Sequence, residues 1–289
     1  MSHLATRFGR NARILNARDG ALDEDQLRAV VPSVFAEEAH MSRSDRYTYI
    51  PTIDIVRGLA AEGFSPVYAC QATPRDDTKL GHTKHMLRFR NYQGPAILNK
   101  EVNEIIMINS HDGTSAYQLL SGVFRFICTN GMVCGNSFEA TRVHHKGNIV
   151  DDVIDAAYSV VEDFARVDSQ VDRMKAISLR PAETDAFATA ALAIRYTDAE
   201  TGTVDSPVQP WQVLQPRRRE DVNQADVWTT FNRVQENMIR GGLHGRTQGS
   251  NGRMRRTSTR PVNGIDGNVS LNRALWTLAE KMAEIKSAH

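Results

Sequence analysis

Ser110, His111, Asp112, Thr114 and Ser115 fall in one short stretch that carries the residue types of a nucleophile, a base and an acid. A hydrolytic triad needs its base to reach a nucleophile held on a separate piece of backbone, which neighbours in a tight turn cannot do. Asp112-Gly113 is a common turn pair, and the hydroxyls and imidazole around it can bond nearby backbone groups. The stretch therefore reads as a hairpin connection at the end of a sheet, with His111, Asp112 and Thr114 as a candidate ligand turn. A hydrolase or nuclease built on His111 and Asp112 is the alternative it leaves open.

Other chemistry-bearing residues are sparser. His82 and His85 stand three apart and His144 and His145 are adjacent. On strands each pair points to opposite faces, and the H-E-x-x-H spacing is absent, so no metal site is expected. Neither a phosphate-cradling G-x-x-x-x-G-K-[ST] nor a strand followed by G-x-G-x-x-G occurs, and no nucleotide cofactor is expected. Cys70, Cys128 and Cys134 form no close pair and no even framework, which suits reduced structural thiols. No catalytic residue is assigned, and the chain reads as a binding protein more than an enzyme.

Charge is the stronger signal. Residues 240–260 hold six arginines and no acid: Arg240, Arg246, Arg253, Arg255, Arg256 and Arg260. Gly, Ser, Thr and Asn fill most gaps, so the segment reads as an extended, solvated loop whose guanidinium groups suit phosphate. Its bland alternative is attraction to the acidic run at 151–172. A second set lies on strands: Lys84, Arg88 and Arg90 share one face, Arg125 interrupts an apolar run, and Arg142 and Lys146 flank the His pair. Same-face strand residues lie about 7 Å apart, near the phosphate spacing of a single strand. These cations are expected to line one groove, with Tyr92, Tyr117 and Phe124 as stacking surfaces; an ordinary solvated sheet face is the alternative. Arg217, Arg218 and Arg219 form a third cluster, balanced between binding and pairing with the acids that follow.

These side chains must be positioned by elements legible from periodicity. A short helix near 23–31 carries Asp23 as cap with Gln26 three positions on. Residues 52–62 read as a helix capped by Thr52 and closed by Gly63. Strands follow at 64–71 and 82–92, in the 104–135 block, and at 139–144. Asn148 is expected to cap one long helix over 149–172, with Val153, Ala157, Val160 and Phe164 inward and acids outward. Helices at 181–195, 221–239 and 270–286 complete the chain. The last is expected to dock on the core through Leu271, Leu275, Leu278, Met282 and Ile285, with subunit contact as the sharper alternative. The fold class is α+β: an antiparallel sheet packed against a long helix, then a mainly helical C-terminal region. Domain boundaries are expected at 1–45 (a partly ordered arm), 46–198 (the α+β core) and 199–289 (helical, with the basic loop 240–260).

The bulk properties suit a soluble globular chain: 289 residues, 41% hydrophobic, 24% charged and a formal charge of +1. No apolar signal core and no run of about 20 apolar residues is present, so the expected location is the cytoplasm, without membrane contact.

Four blocks carry a family resemblance: TKHMLRFR (83–90), the 104–135 block, TTFNRVQENMIRGGL (229–243) and NGIDGNVSLNRALWTLAEKM (263–282). They resemble the phage- and plasmid-borne family catalogued as domain of unknown function 932, from about Tyr47 to the final helix. The resemblance implies the setting of a bacterial mobile element and carries over no catalytic residue. Strands followed by a long helix are also similar in outline to phage single-strand annealing proteins, a fold-level analogy without a shared motif. The expected function is therefore binding of single-stranded nucleic acid, DNA in preference, by a homo-oligomer active in annealing or recombination. The alternative is a module that binds a host protein, countering a defence or regulating a partner through the acidic face.

Overall fold

The first helix forms because its entry is closed from both sides. The Asp23 carboxylate accepts the Gln26 amide at 2.7 Å, and the Gln26 side chain accepts the Asp23 amide at 3.1 Å. This capping box starts α1 (Glu24–Val30). The computed structural model describes residues 12–16, 20–38, 40–41, 49, 51–74, 77–79, 81–91, 101–125, 131–133, 141–143, 149–249 and 251–288. The chain divides into two units, residues 1–133 with 138–164 and residues 134–137 with 165–289. The fold is α+β.

The first unit is built on an antiparallel sheet. Its strands are β1 (Ala12–Asn16), β2 (Phe64–Ala72), β3 (His85–Asn91), β4 (Glu101–Asn109), β5 (Tyr117–Arg125) and β6 (Gly131–Val133), adjacent in that order, with β7 (Thr141–Val143) also on β5. One face packs on α1, on α2 (Thr52–Ala61) and on α3 (Ile149–Glu162). Leu87 and Phe89 of β3, Ile105 and Met107 of β4 and Leu119 of β5 meet Ile55, Leu59, Val153, Ala157 and Val160 there. Leu22, Leu27, Val31 and Val34 belong to the same core. That part of the expected N-terminal arm is packed structure, and β1 pairs β2 from Ala12↔Ala72 to Asn16↔Tyr68.

Two local expectations change. Thr52 does not cap α2: the cap position is Pro51, without a side-chain bond, and the Thr52 hydroxyl turns inward instead. The single helix expected over 149–172 is two, α3 and α4 (Phe164–Ala176), and the boundary between the units falls at the break. Val153, Ala157 and Val160 are buried before it and Val167, Val171 and Met174 after it. The apolar period runs through the break, so periodicity could not reveal it. Asn148 lies outside the described residues.

The second unit holds α4, α5 (Pro181–Tyr196), α6 (Pro210–Val213), α7 (Val227–Arg240) and α8 (Ile265–Ser287). Asp226 caps α7, accepting the Thr229 amide at 2.7 Å and its hydroxyl at 2.8 Å. Trp228 and Phe231 of α7 meet Trp276 of α8 at ring-centroid distances of 6.2 and 5.9 Å. The buried stripe of α8 is Leu271, Leu275, Trp276, Ala279 and Ala283, whereas Ile285 is exposed. The segment 240–260, read from sequence as an extended loop, contains a two-stranded hairpin of β8 (His244–Gln248) and β9 (Met254–Ser258).

The N-terminal packing gives a direct test. Leu27 is 1% exposed in the core, so Leu27→Ala should cost about 2–4 kcal/mol in urea unfolding. A loss under about 0.5 kcal/mol would mark the segment as a loose arm after all.

Candidate functional site

The sheet cations are neutralised inside the fold. Register Phe89↔Ile105 puts Glu104 opposite Arg90 and diagonal to Arg88. Glu104 accepts Arg88 Nε at 2.5 Å and Arg90 Nε at 2.7 Å, and all three side chains are at most 5% exposed. The Arg88 guanidinium also lies 4.7 Å over the Tyr68 ring. Arg125 is buried opposite Glu101, with Nε 4.0 Å from its carboxylate. The groove expected for Arg88, Arg90 and Arg125 is therefore corrected. The second sheet face is buried too, and a buried arginine must carry its own carboxylate. Tyr117 is a fully buried core residue rather than a stacking surface. Lys84 is half-buried just before β3. Lys146 and Tyr92, and the side chains of Arg142 and Phe124, lie outside the described residues.

The candidate ligand turn is also closed on itself. Asp112 Oδ1 accepts the Thr114 amide at 3.0 Å and lies 2.6 Å from its hydroxyl, while Ser110 Oγ accepts the Ser115 amide at 2.8 Å. Burial alone would raise the Asp112 carboxyl, but the Thr114 hydroxyl and amide and the Ser110 hydroxyl together hold it below the usual range. His111 is fully buried, Asp112 nearly so, and only Thr114 is exposed. The ligand role expected of His111 and Asp112 is thus corrected: their polar atoms serve the fold.

His111 belongs to a buried hydrogen-bond chain whose proton positions follow from its partners. His85 Nδ1 lies 3.1 Å from the Thr83 carbonyl, which can only accept, so Nδ1 carries the proton. Burial lowers the His85 pKa from 6.5 to about 4, leaving the ring neutral at pH 7. Nε2 then accepts from Thr52 Oγ1 at 3.0 Å. With its one proton placed, Thr52 accepts from Asn109 Nδ2 at 3.2 Å and from His111 Nε2 at 3.0 Å. Ser33 Oγ ties the chain to Gln71 Oε1 at 2.8 Å. Among the described residues no group of three His, Cys, Asp or Glu side chains could hold a metal. Burial pushes the Cys70 thiol up to about 12, away from reactivity; Cys128 and Cys134, like His144 and His145, lie outside the described residues.

The second unit presents its cations outward. Arg246 stands opposite Arg256 across the β8–β9 ladder, and Thr247 opposite Arg255. Arg246, Arg253, Arg255, Arg256 and Arg260 are all exposed. No ion pair joins any of these five to a carboxylate among the described residues. The segment 205–213 fixes the hairpin: Pro207 O accepts the Arg246 amide at 2.9 Å, and Gln212 Nε2 donates to His244 O at 2.7 Å. A Cβ on Gly245 would lie 1.8 Å from Pro207 O, so this approach requires glycine. At the tip Gly249 N bonds Arg253 O at 2.9 Å, and Gly252 takes φ +74°.

The other arginines hold the hairpin's root. Arg218 and Arg240 both pair with buried Glu236, at 2.5 and 3.3 Å. Arg217 donates to Asn237 Oδ1 at 2.6 Å and to the Gly241 carbonyl at 2.8 Å, just past the end of α7. Arg217 and Arg218 are thus braces rather than a binding cluster, and Arg240 drops out of the basic run. Between 205–212 and the hairpin lies a groove of about 420 Å³, lined by Asp205, Ser206, Gln212, Arg246, Gln248 and Met254 among others. Trp211, on α6 beside it, is 59% exposed. Sequence reasoning passed over Trp211, although a tryptophan inside a polar, Pro-rich linker was a visible anomaly.

A family model described as "Domain of unknown function (DUF932)" matches residues 39–276, from α2 and β2 through the hairpin into α8. The chain belongs to the DUF932 family. Two relatives of the DUF932 chain come from Escherichia coli (strain K12) and each match covers 98% of both sequences: UPF0380 protein YfjQ, 51% identical over 282 residues, and UPF0380 protein YafZ, 50% identical over 282. No solved structure matches it. In this DUF932 protein no helix among the described residues is long and apolar enough to cross a membrane.

The buried chain makes stability depend on pH. Unfolded, His85 takes a proton near 6.5; folded, not until about 4. Its contribution is complete above pH 6.5 and is lost as pH falls toward 4, because the unfolded state binds the proton first. Between pH 7 and 4.5 the wild type should lose about 2–3 kcal/mol more unfolding free energy than His85→Gln. Equal losses in the two proteins would show that His85 is not buried neutral.

Proposed function

We propose that this DUF932 protein binds single-stranded nucleic acid, DNA in preference, through the β8–β9 hairpin. The observation that carries the reading is the pair Arg246 and Arg256, opposed across the ladder. Like charges directly opposite each other destabilise a two-stranded sheet. A phosphate between the two guanidinium groups removes that repulsion and accepts hydrogen bonds from both. Arg253, Arg255 and Arg260 extend the cationic surface. Two features favour a single strand over a duplex. Trp211 is an exposed aromatic on α6, the helix whose Gln212 bonds the hairpin, and the groove has room for an unstacked base. With the family resemblance, the reading extends to a cytoplasmic, oligomeric protein of a mobile element that acts in annealing or recombination.

Binding by phosphate contact must weaken with salt, by a slope of about 0.7 per neutralised phosphate on a single strand. Anisotropy titrations of a labelled dT20 oligonucleotide between 50 and 200 mM salt test this. The double variant Arg246→Ser/Arg256→Ser should flatten the log–log slope by about 0.7, for the one phosphate the pair shares, and weaken binding at least about tenfold at low salt. Its melting curve should be unchanged or shifted upward, because exposed like charges are being removed. A variant with wild-type slope and affinity would refute the hairpin as the binding surface.

A further inference from the structure

The groove beside the hairpin carries an inference that rests on the reading above and deepens it. Most of its polar side chains are turned to the protein's own backbone. Ser206 Oγ donates to Val208 O at 2.7 Å, and Gln248 Nε2 donates to Gly252 O at 3.1 Å. The Gln212 side chain spans the groove wall, accepting the Gln209 amide at 2.9 Å and donating to His244 O at 2.7 Å. Two charged groups are left over. Arg246 has no carboxylate partner among the described residues, and Asp205 makes no side-chain hydrogen bond or ion pair among them. Both line the same groove without pairing with each other. Met254, 60% exposed, supplies an apolar surface beside them.

A carboxylate in a cationic patch weakens attraction for a polyanion. Its presence there makes chemical sense if it reads hydrogen-bond donors on the ligand. An ionised carboxylate is an acceptor with two oxygens, and so matches an edge that presents two neighbouring donors. Of the nucleobases guanine has that edge, with its ring N1–H beside the exocyclic amino group. Adenine and cytosine set an amino group beside a ring acceptor, and thymine and uracil flank one N–H with two carbonyls. A groove of about 420 Å³ falls within the range of small-ligand sites. We propose that this groove is a nucleobase subsite selective for guanine, with the Asp205 carboxylate on the Watson–Crick edge, Met254 against the ring face and Arg246 on the attached phosphate.

The test compares dT20 with the same oligonucleotide carrying one central dG, dA or dC, a design in which guanines cannot self-associate. The wild type should bind the dG oligonucleotide at least about fivefold more tightly than dT20, the lower end of what a bidentate base contact discriminates. Asp205→Asn should abolish that preference while binding dT20 as well as the wild type or better, since it removes a negative charge from an exposed position. If the wild type binds all four oligonucleotides equally and with steep salt dependence, the guanine subsite is wrong and phosphate binding stands. If Asp205→Asn keeps the guanine preference, the carboxylate is not the reader and the assignment falls. Failure to bind any of the four overturns the subsite and the nucleic-acid reading together.

Discussion

Two exposed arginines, Arg246 and Arg256, are placed directly opposite each other across β8 and β9 by the backbone register. A like-charged cross-strand pair costs a few tenths to about 1 kcal/mol in an exposed ribbon. Several contacts hold that ribbon in place against the cost. Gly245 lets Pro207 come into backbone contact, Gln212 grips the His244 carbonyl, and Arg217 fixes Gly241 at the root. Thr259 closes the base through the Gly242 and Leu243 backbones. The fold thus keeps opposed, exposed cations in register, and the proposed phosphate contact would relieve them.

The sheet of the first unit treats the same residue type in the opposite way. Arg88 and Arg90 share one carboxylate, Glu104, in a setting where all three are buried. Removing a charge from water costs several kcal/mol, so these arginines arrive with their counter-ion built into the neighbouring strand. Their guanidinium groups serve cohesion of the sheet. Arg218 and Arg240 repeat the pattern on Glu236. Burial, more than residue type, decides which arginines hold the protein together and which can meet a ligand.

Much of the architecture was legible because alternation and the 3.6-residue period are local properties. The strands β2 to β5, the capping box at Asp23 and α5 could be read this way. What failed depended on partners distant in sequence. Alternation placed Arg88 and Arg90 on one face of β3, but only the β3–β4 register shows Glu104 beside them. Thr52 had the chemistry of a cap, yet two histidines 33 and 59 residues away claim its hydroxyl. The hairpin was hidden because its strands are largely exposed and rich in Gly, Thr and Arg, so no apolar alternation marks them. Charge singled out the arginines at 246–260, and the structure exposes all five of them. Their opposition across a ladder, and the groove lined by Asp205 and Gln212, appear only once the segment 205–213 is folded against the ribbon.

Where a bound strand lies on the surface is the most direct question to put to this account. Photo-crosslinking a 5-bromouracil-substituted single-stranded oligonucleotide to the intact protein, then mapping the adducts by mass spectrometry, would answer it. Adducts are expected in peptides covering 205–215 and 244–260, with Trp211 the foremost acceptor. Adducts confined to β3, β4 and β5, with the hairpin peptides clean, would contradict it.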